Sequence, residues 1–427
     1  MNTREKAEAA KRASFKLASL DDNIKTRVIQ RTAELMAQKQ DAILAENKKD
    51  LDKAKAENIS DVLYKRLVLT PEKIDGMITS LREVAQLPDP VGHVSVRREL
   101  DNDLVLEKVS VPIGVIGIIF ESRPDALVQI SSLCIKSGNA AILKGGKEAQ
   151  FSNRALHGIF IDAMSEVDAR FDNCLQLVES REDISELLSM DEYVDLMIPR
   201  GSNDLVKFIQ SNTRIPVLGH ADGICHVYID RNADLDMAVN VSVDSKCQYP
   251  AVCNAMETLL VHQDVAASVL PVLATRFSER QVELRGDDAT RAIIDAVPAT
   301  GEDWKTEYND LILSIRVVGS IEEAIDHINT YGSHHTDAIV STNEEACATF
   351  LSTVDSSSAL VNCSTRFADG FRYGLGAEVG ISTNKIHARG PVGLEGLLIY
   401  KYRLIGNGNI VADYASGKKK FTHKDVL

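Results

Sequence analysis

The chain has 427 residues, 44% of them hydrophobic, 26% charged and 5% aromatic, which excludes a disordered or fibrous protein. Lys and Arg number 48 against 62 Asp and Glu, a net charge of −14, so nucleic acid is not an expected partner. The length exceeds what one core needs, and two or three domains are expected.

From Thr3 to about Leu87 apolar residues recur at helical spacing, as in Ile24, Val28, Leu35, Met36, Ile43 and Leu44, which predicts several amphipathic helices. Past Pro88-Asp89-Pro90 the pattern changes, and Leu104 to Leu106 and Val109 to Val111 read as two short strands. From Ile113 to His262 short apolar runs alternate with helical stretches. The runs are Ile113 to Phe120, Ala140 to Lys144, Leu175 to Val178, Val194 to Ile198, Val217-Leu218, His226 to Ile229 and Thr258 to His262. Pro124 to Lys136 reads as a helix, with proline in its first turn and Gly138 past its end. Such alternation predicts an α/β fold with a mainly parallel sheet and ligands at the carboxyl ends of its strands.

A second alternating block follows: helix Val265 to Arg280, strand Leu311 to Val318, helix Glu322 to Thr330, strand Asp337 to Ser341, helix Glu344 to Thr353, strand Ser358 to Val361. Beyond Asn362 glycines crowd at 370, 374, 376, 380, 390, 393 and 396, a density suited to loops close to a ligand or threading between domains. The longest apolar run, Val109 to Phe120, is interrupted by Pro112, Gly114 and Gly117 and falls short of the ~20 residues a spanning helix needs. Seven cysteines without a CxxC pair argue against a disulfide framework and for a reducing compartment. The charged start from Met1 to Lys6 lacks a secretory h-region. A cytoplasmic protein without membrane association is expected.

Four local features bear on chemistry. Lys144-Gly145-Gly146-Lys147 runs from a strand towards a helix, where backbone amides and a helix start favour a phosphate; a tight turn with exposed lysines is the other reading. Arg200-Gly201-Ser202-Asn203 follows the same logic, or is a plain N-cap. Cys253 lies in a polar loop, Lys246 to Ala255, the setting of a nucleophilic thiol, with Cys247 as competitor. His220, Asp222, Cys225 and His226 match no common zinc spacing, so no metal is expected.

Taken together, five segments resemble the aldehyde dehydrogenase superfamily and, within it, the branch that reduces γ-glutamyl phosphate: Pro112 to Pro124, Leu133 to Asn153, Gly219 to His226, Val252 to His262, and Ser364 to Gly370 with His387 to Pro391. The resemblance implies a Rossmann-type NADP-binding domain with the N-terminal helices (1–97 and 113–240), an α/β catalytic domain (241–362), a Gly-rich return (363–396) and a small β extension for oligomerisation (98–112 and 397–427). It implies NADPH-dependent reduction of L-glutamyl 5-phosphate to L-glutamate 5-semialdehyde and phosphate, in proline biosynthesis, through a thioester on Cys253.

By the same resemblance Cys253 supplies an oxyanion-hole backbone amide beside Asn254. Ser122 stands nearest to the place where other aldehyde dehydrogenases carry a donor Asn. Where hydrolytic members carry a water-activating glutamate, this chain has Leu218-Gly219-His220, so the thioester is expected to survive for reduction, and His220 is a candidate acid or base. Lys144, Gly145, Gly146, Lys147, Gly201 and Ser202 would hold NADP(H), Lys147 favouring the 2′-phosphate, and Glu307 the nicotinamide ribose. Ser364, Thr365, Arg123, Arg366 and Arg389 would meet the anionic substrate. Tyr249 stands where relatives more often have Arg. Self-association is implied, and docking with glutamate 5-kinase is plausible because acyl phosphates decay in water. A coenzyme A-dependent acylating aldehyde dehydrogenase and a non-catalytic protein of the same fold are the alternatives.

Overall fold

The computed structural model describes residues 1–180 and 182–426. The chain divides into two compact units, Met1–Leu218 with Val392–Leu427, and Gly219–Pro391.

Five helices open the first unit: α1 (Thr3–Leu17), α2 (Asp22–Gln38), α3 (Gln40–Ala56), α4 (Asp61–Leu67) and α5 (Pro71–Gln86). Their starts are encoded locally, by a capping box between Asn2 and Glu5 on α1 and by Thr70 with Pro71 on α5. The predicted periodicity becomes an inward face, with Val28, Ile29, Leu35 and Met36 of α2 buried.

A hairpin follows, β1 (Val94–Asp101) and β2 (Leu104–Pro112). The two short strands expected between 104 and 111 are one continuous strand, because β2 is paired on both sides, with β1 and with the C-terminal strand Leu398–Ile405. The expected extension therefore begins earlier, at Val94.

Next come β3 (Val115–Phe120), α6 (Pro124–Lys136), β4 (Ala140–Gly145), α7 (Gln150–Val167), β5 (Leu175–Val178), α8 (Glu182–Leu188), β6 (Leu196–Arg200) and α9 (Asn203–Ser211). The strands are parallel in the order β5-β4-β3-β6. All of β3 and β4 is buried, as a parallel sheet requires. Val217-Leu218, expected as a strand, makes only an isolated bridge to Met197. Pro216 precedes it and has no N–H to extend the ladder.

The second unit holds β7 (Cys225–Ile229), α10 (Leu235–Cys247), β8 (Met256–His262), α11 (Gln263–Ser278), β9 (Glu283–Gly286), α12 (Asp288–Arg291), β10 (Val297–Pro298), β11 (Ile312–Val318), α13 (Ile321–Tyr331), β12 (Thr336–Val340), α14 (Glu344–Thr353) and β13 (Ser358–Val361). Its seven strands are parallel in the order β10-β9-β11-β8-β7-β12-β13. β7 lies between β8 and β12. The change of unit therefore falls at Gly219 rather than at the expected residue 241. In the Gly-rich return β14 (Gly380–Ser382) pairs with β15 (Gly390–Val392).

The chain ends in the first unit with β16 (Leu398–Ile405), α15 (Val411–Ala415) and β17 (Lys424–Asp425), which give an antiparallel sheet β16-β2-β1-β17. Tyr400, Tyr402, Leu404 and Ile405 of β16 are exposed. Among the described residues no helix is long and apolar enough to cross a membrane.

Candidate active site

In the second unit, residues 248–255 form the turn between α10 and β8. An ion pair clamps its base: Lys246 Nζ lies 2.6 Å from Glu257 Oε2, with both side chains buried. Burial pushes the Glu257 carboxyl up to about 7 against the pull of Lys246. The crown of the turn is tied down by Asn254 Nδ2, which donates to Ala368 O at 2.9 Å, and by Arg366 Nε, which donates to Gln248 Oε1 at 2.9 Å. Ser245 Oγ contacts Ser364 Oγ at 3.2 Å and accepts from Thr365 N at 3.2 Å. The expected substrate residues Ser364, Thr365 and Arg366 are thus brought to the turn that carries Cys253. Ser364 also caps its own short turn through Arg366 N. Burial, and then the neighbouring Arg372, push the Arg366 guanidinium down in pKa, while the charge of Cys253 pulls it up.

Cys253 is half-buried in that turn. The preceding loop passes so close that a Cβ on Gly223 would overlap the Cys253 main chain, so only glycine fits there. Cys225 Sγ donates to Cys253 O at 3.2 Å. His220 Nδ1 is held by Ile381 O at 2.8 Å, and its ring meets His335 edge-on with centroids 4.8 Å apart. His335 is fully buried. Its Nδ1 lies 2.9 Å from Thr336 Oγ1, and its Nε2 has no partner. The ligating atoms of His220, Cys253 and His335 all lie within 4.8 Å of one another.

His335 has no counterpart in the sequence reading. The metal-like grouping weighed there also dissolves, because His226 turns to Asp337 at 2.8 Å. The site stands at the amino ends of three adjacent strands, β8, β7 and β12, which reverses the expectation of carboxyl ends for this unit. Burial raises the thiols of Cys134, Cys174, Cys225, Cys247, Cys347 and Cys363. The competitor Cys247 packs against the apolar core beside α10.

Two expected residues of this unit lie in other settings. Arg389 donates from its two terminal nitrogens to Asp355 Oδ1 and O, both at 3.0 Å. Glu307 is half-buried in an irregular segment and near enough to Glu257 to raise its pKa.

In the first unit the expected cofactor loops do stand at carboxyl ends, after β4 and β6. Lys144 Nζ donates to Gly145 O at 2.6 Å, and burial pushes its pKa down. A Cβ on Gly146 would overlap the Glu148 carboxylate, which accepts from both Ser122 N and Ser122 Oγ at 2.7 Å. Lys147 opens the short helical turn Lys147–Ala149. Ser122 takes φ 42° and is buried; its hydroxyl proton is directed to Glu148. Ser202 N donates to Glu121 Oε2 at 2.8 Å, Gly201 lies against the same carboxylate, and the Ser202 side chain makes no cap bond to α9. Arg123 lines a cleft of about 590 Å³ with Lys65, Arg66 and Lys73.

Two parallel-sheet units, one with glycine loops at its strand ends and one with an accessible cysteine turn, define the class. The aldehyde dehydrogenase family model matches residues 2–297, and the chain belongs to that family of oxidoreductases. The γ-glutamyl phosphate reductase of Acetivibrio thermocellus is 54% identical over 100% of this chain and 99% of its own. That of Methanococcoides burtonii is 55% identical over 99% and 96%. The crystal structure of γ-glutamyl phosphate reductase from Thermotoga maritima superposes with a TM-score of 0.94 at 39% identity, covering 96% of this chain and 100% of that one. Within the family, the chain falls in the γ-glutamyl phosphate reductase branch.

Proposed function

We propose that the chain reduces L-glutamyl 5-phosphate to L-glutamate 5-semialdehyde and phosphate with NADPH, a step of proline biosynthesis. One observation carries the reading: a half-buried cysteine with two imidazoles beside its sulfur, in a chain aligned end to end with reductases of that name.

The thiol of Cys253 loses its proton to the imidazole pair and attacks the acyl carbonyl. A carbon–sulfur bond forms, the carbon–oxygen bond to phosphate breaks, and a thioester is left. The Cys253 backbone N–H is the oxyanion donor. Ser122 can become a second one only on release from Glu148. Asn254 acts as a positioning residue, its amide holding the turn. His220 stands where hydrolytic relatives carry their glutamate, so no carboxylate activates water against the thioester. When bound, NADPH supplies the hydride that reduces it.

Lys144, Gly145, Gly146, Lys147, Gly201 and Ser202 are the residues to hold that cofactor, with Glu307 at its nicotinamide ribose. The fit is supported by the Glu121 carboxylate, which already uses the Ser202 amide at a helix start as an anion would. Arg366 at the turn and Arg123 in its basic cleft are the substrate cations; Arg389 would first have to leave Asp355. Self-association through β16 and docking with glutamate 5-kinase complete the proposal.

The test is phosphate-dependent NADP⁺ reduction with glutamate 5-semialdehyde. Cys253→Ala should lower the rate by about 10⁴-fold or more. An active alanine variant, or a preference for coenzyme A over phosphate, would overturn the reading.

A further inference from the structure

We propose that His220, His335 and Cys253 form a site for a soft divalent cation of the zinc type, and that the ion reversibly switches off the cysteine by taking its sulfur. The inhibitory consequence rests on Cys253 being the nucleophile; the binding itself does not.

Three separate segments supply the group: the loop before β7, the turn before β8 and the residue before β12. Their ligating atoms lie within 4.8 Å of one another. Zinc bonds of about 2.3 Å to sulfur and about 2.0–2.1 Å to nitrogen put ligand atoms roughly 3.5 Å apart, so side-chain adjustments of about 1 Å bring all three onto one ion. One thiolate and two imidazoles, with no carboxylate, select zinc-like ions over magnesium or calcium.

Both rings are also braced as zinc-binding histidines are. His220 Nδ1 is held by the Ile381 carbonyl at 2.8 Å, and His335 Nδ1 by the Thr336 hydroxyl at 2.9 Å and Cys225 Sγ at 3.7 Å, so Nε2 is the nitrogen each ring would turn to a metal. For His335 that atom is buried and without a partner. A buried nitrogen without a partner is costly, and a metal ion would satisfy it.

The surrounding charges are compatible with binding. Asp337 is engaged by His226 and Glu257 by Lys246. Cys225 is held as a thiol, its pKa raised by burial. Arg366, held at the turn by Gln248, opposes the ion. Binding exchanges the Cys253 thiol proton for the metal: the sulfur–hydrogen bond is lost, a sulfur–zinc bond forms and the proton goes to solvent.

Cobalt(II) is the probe. One equivalent per chain should give a near-ultraviolet thiolate-to-metal band with intense visible bands of tetrahedral type, both erased by excess Zn²⁺ and absent in Cys253→Ala. Zn²⁺ should protect Cys253 from iodoacetamide in the unaltered protein and inhibit turnover until EDTA is added. His335→Gln should weaken zinc protection at least about ten-fold. The absence of a thiolate band at one equivalent, or zinc protection unchanged in both His220→Gln and His335→Gln, would overturn the site. A chain that binds cobalt yet fails to oxidise glutamate semialdehyde would overturn the proposed function and leave the metal site standing.

Discussion

The glycine loops of the first unit and the cysteine turn of the second handle polar groups in opposite ways. After β3 and β6 the chain's own carboxylates meet the main-chain amides: Glu148, from the glycine loop after β4, takes the Ser122 amide and hydroxyl, and Glu121 takes the Ser202 amide. Around Cys253 the reverse holds, and His335 Nε2, Asn254 Oδ1 and Thr365 Oγ1 are buried without partners. A binding loop can rest on a carboxylate that a ligand later displaces. A reaction site keeps groups unsatisfied and relies on rigid surroundings to hold them.

That rigidity is concentrated in the Lys246–Glu257 pair, and removing it should have the largest effect. Lys246→Met leaves a buried carboxylate without its cation, a loss of about 3–5 kcal/mol. The loss depends on pH. Burial has already raised the Glu257 carboxyl from 4.5 to about 7, and losing the cation raises it further. A raised folded-state pKa gives stability that is present below the ordinary value and lost as pH rises through the folded one. Urea unfolding should therefore show the greatest deficit near about pH 8, shrinking towards about pH 5; a deficit independent of pH would break the argument.

Gly223→Ala comes next. The added methyl must displace the Cys253 main chain, and a misplacement of about 1 Å costs about 10²-fold in kcat, read in the phosphate-dependent assay. An unchanged kcat would mean that the turn is softer than its contacts indicate.

The smallest effect tests the self-satisfied loops. Glu121→Gln removes an internal competitor from a helix start, where a carboxylate contributes about 0.3–1 kcal/mol. NADP⁺ should bind about two- to five-fold tighter in a fluorescence titration. Weaker binding would show Glu121 to be a ligand instead.

What could be read in advance was local. Helix α6 spans Pro124–Lys136 and strand β13 spans Ser358–Val361 as read, because a first-turn proline and a β-branched or apolar run carry their own signals. The polar loop around Cys253 does fall between a helix and a strand, α10 and β8, as its local pattern indicated. β9 and β10 were not, being four and two residues long. His335 escaped because nothing beside it in Ser333-His334-His335-Thr336 marks it, and its partner His220 is distant in the chain. Its place one residue before a parallel strand, at the end shared with Cys253, is the signal that a topology-level reading could have used. Glu121 and Glu148 looked like ordinary loop charges, since the amides they hold come together only when the sheet forms.

The small antiparallel sheet carries a consequence for growth. One margin, β16, carries no further strand among the described residues and leaves its tyrosines exposed; on the other, the tail lies along the middle of β1, Arg98 opposite Asp425 and Glu99 opposite Lys424. An uncovered strand edge is a template for a further strand, so the tail closes one margin of this sheet to strand addition and directs it to the other.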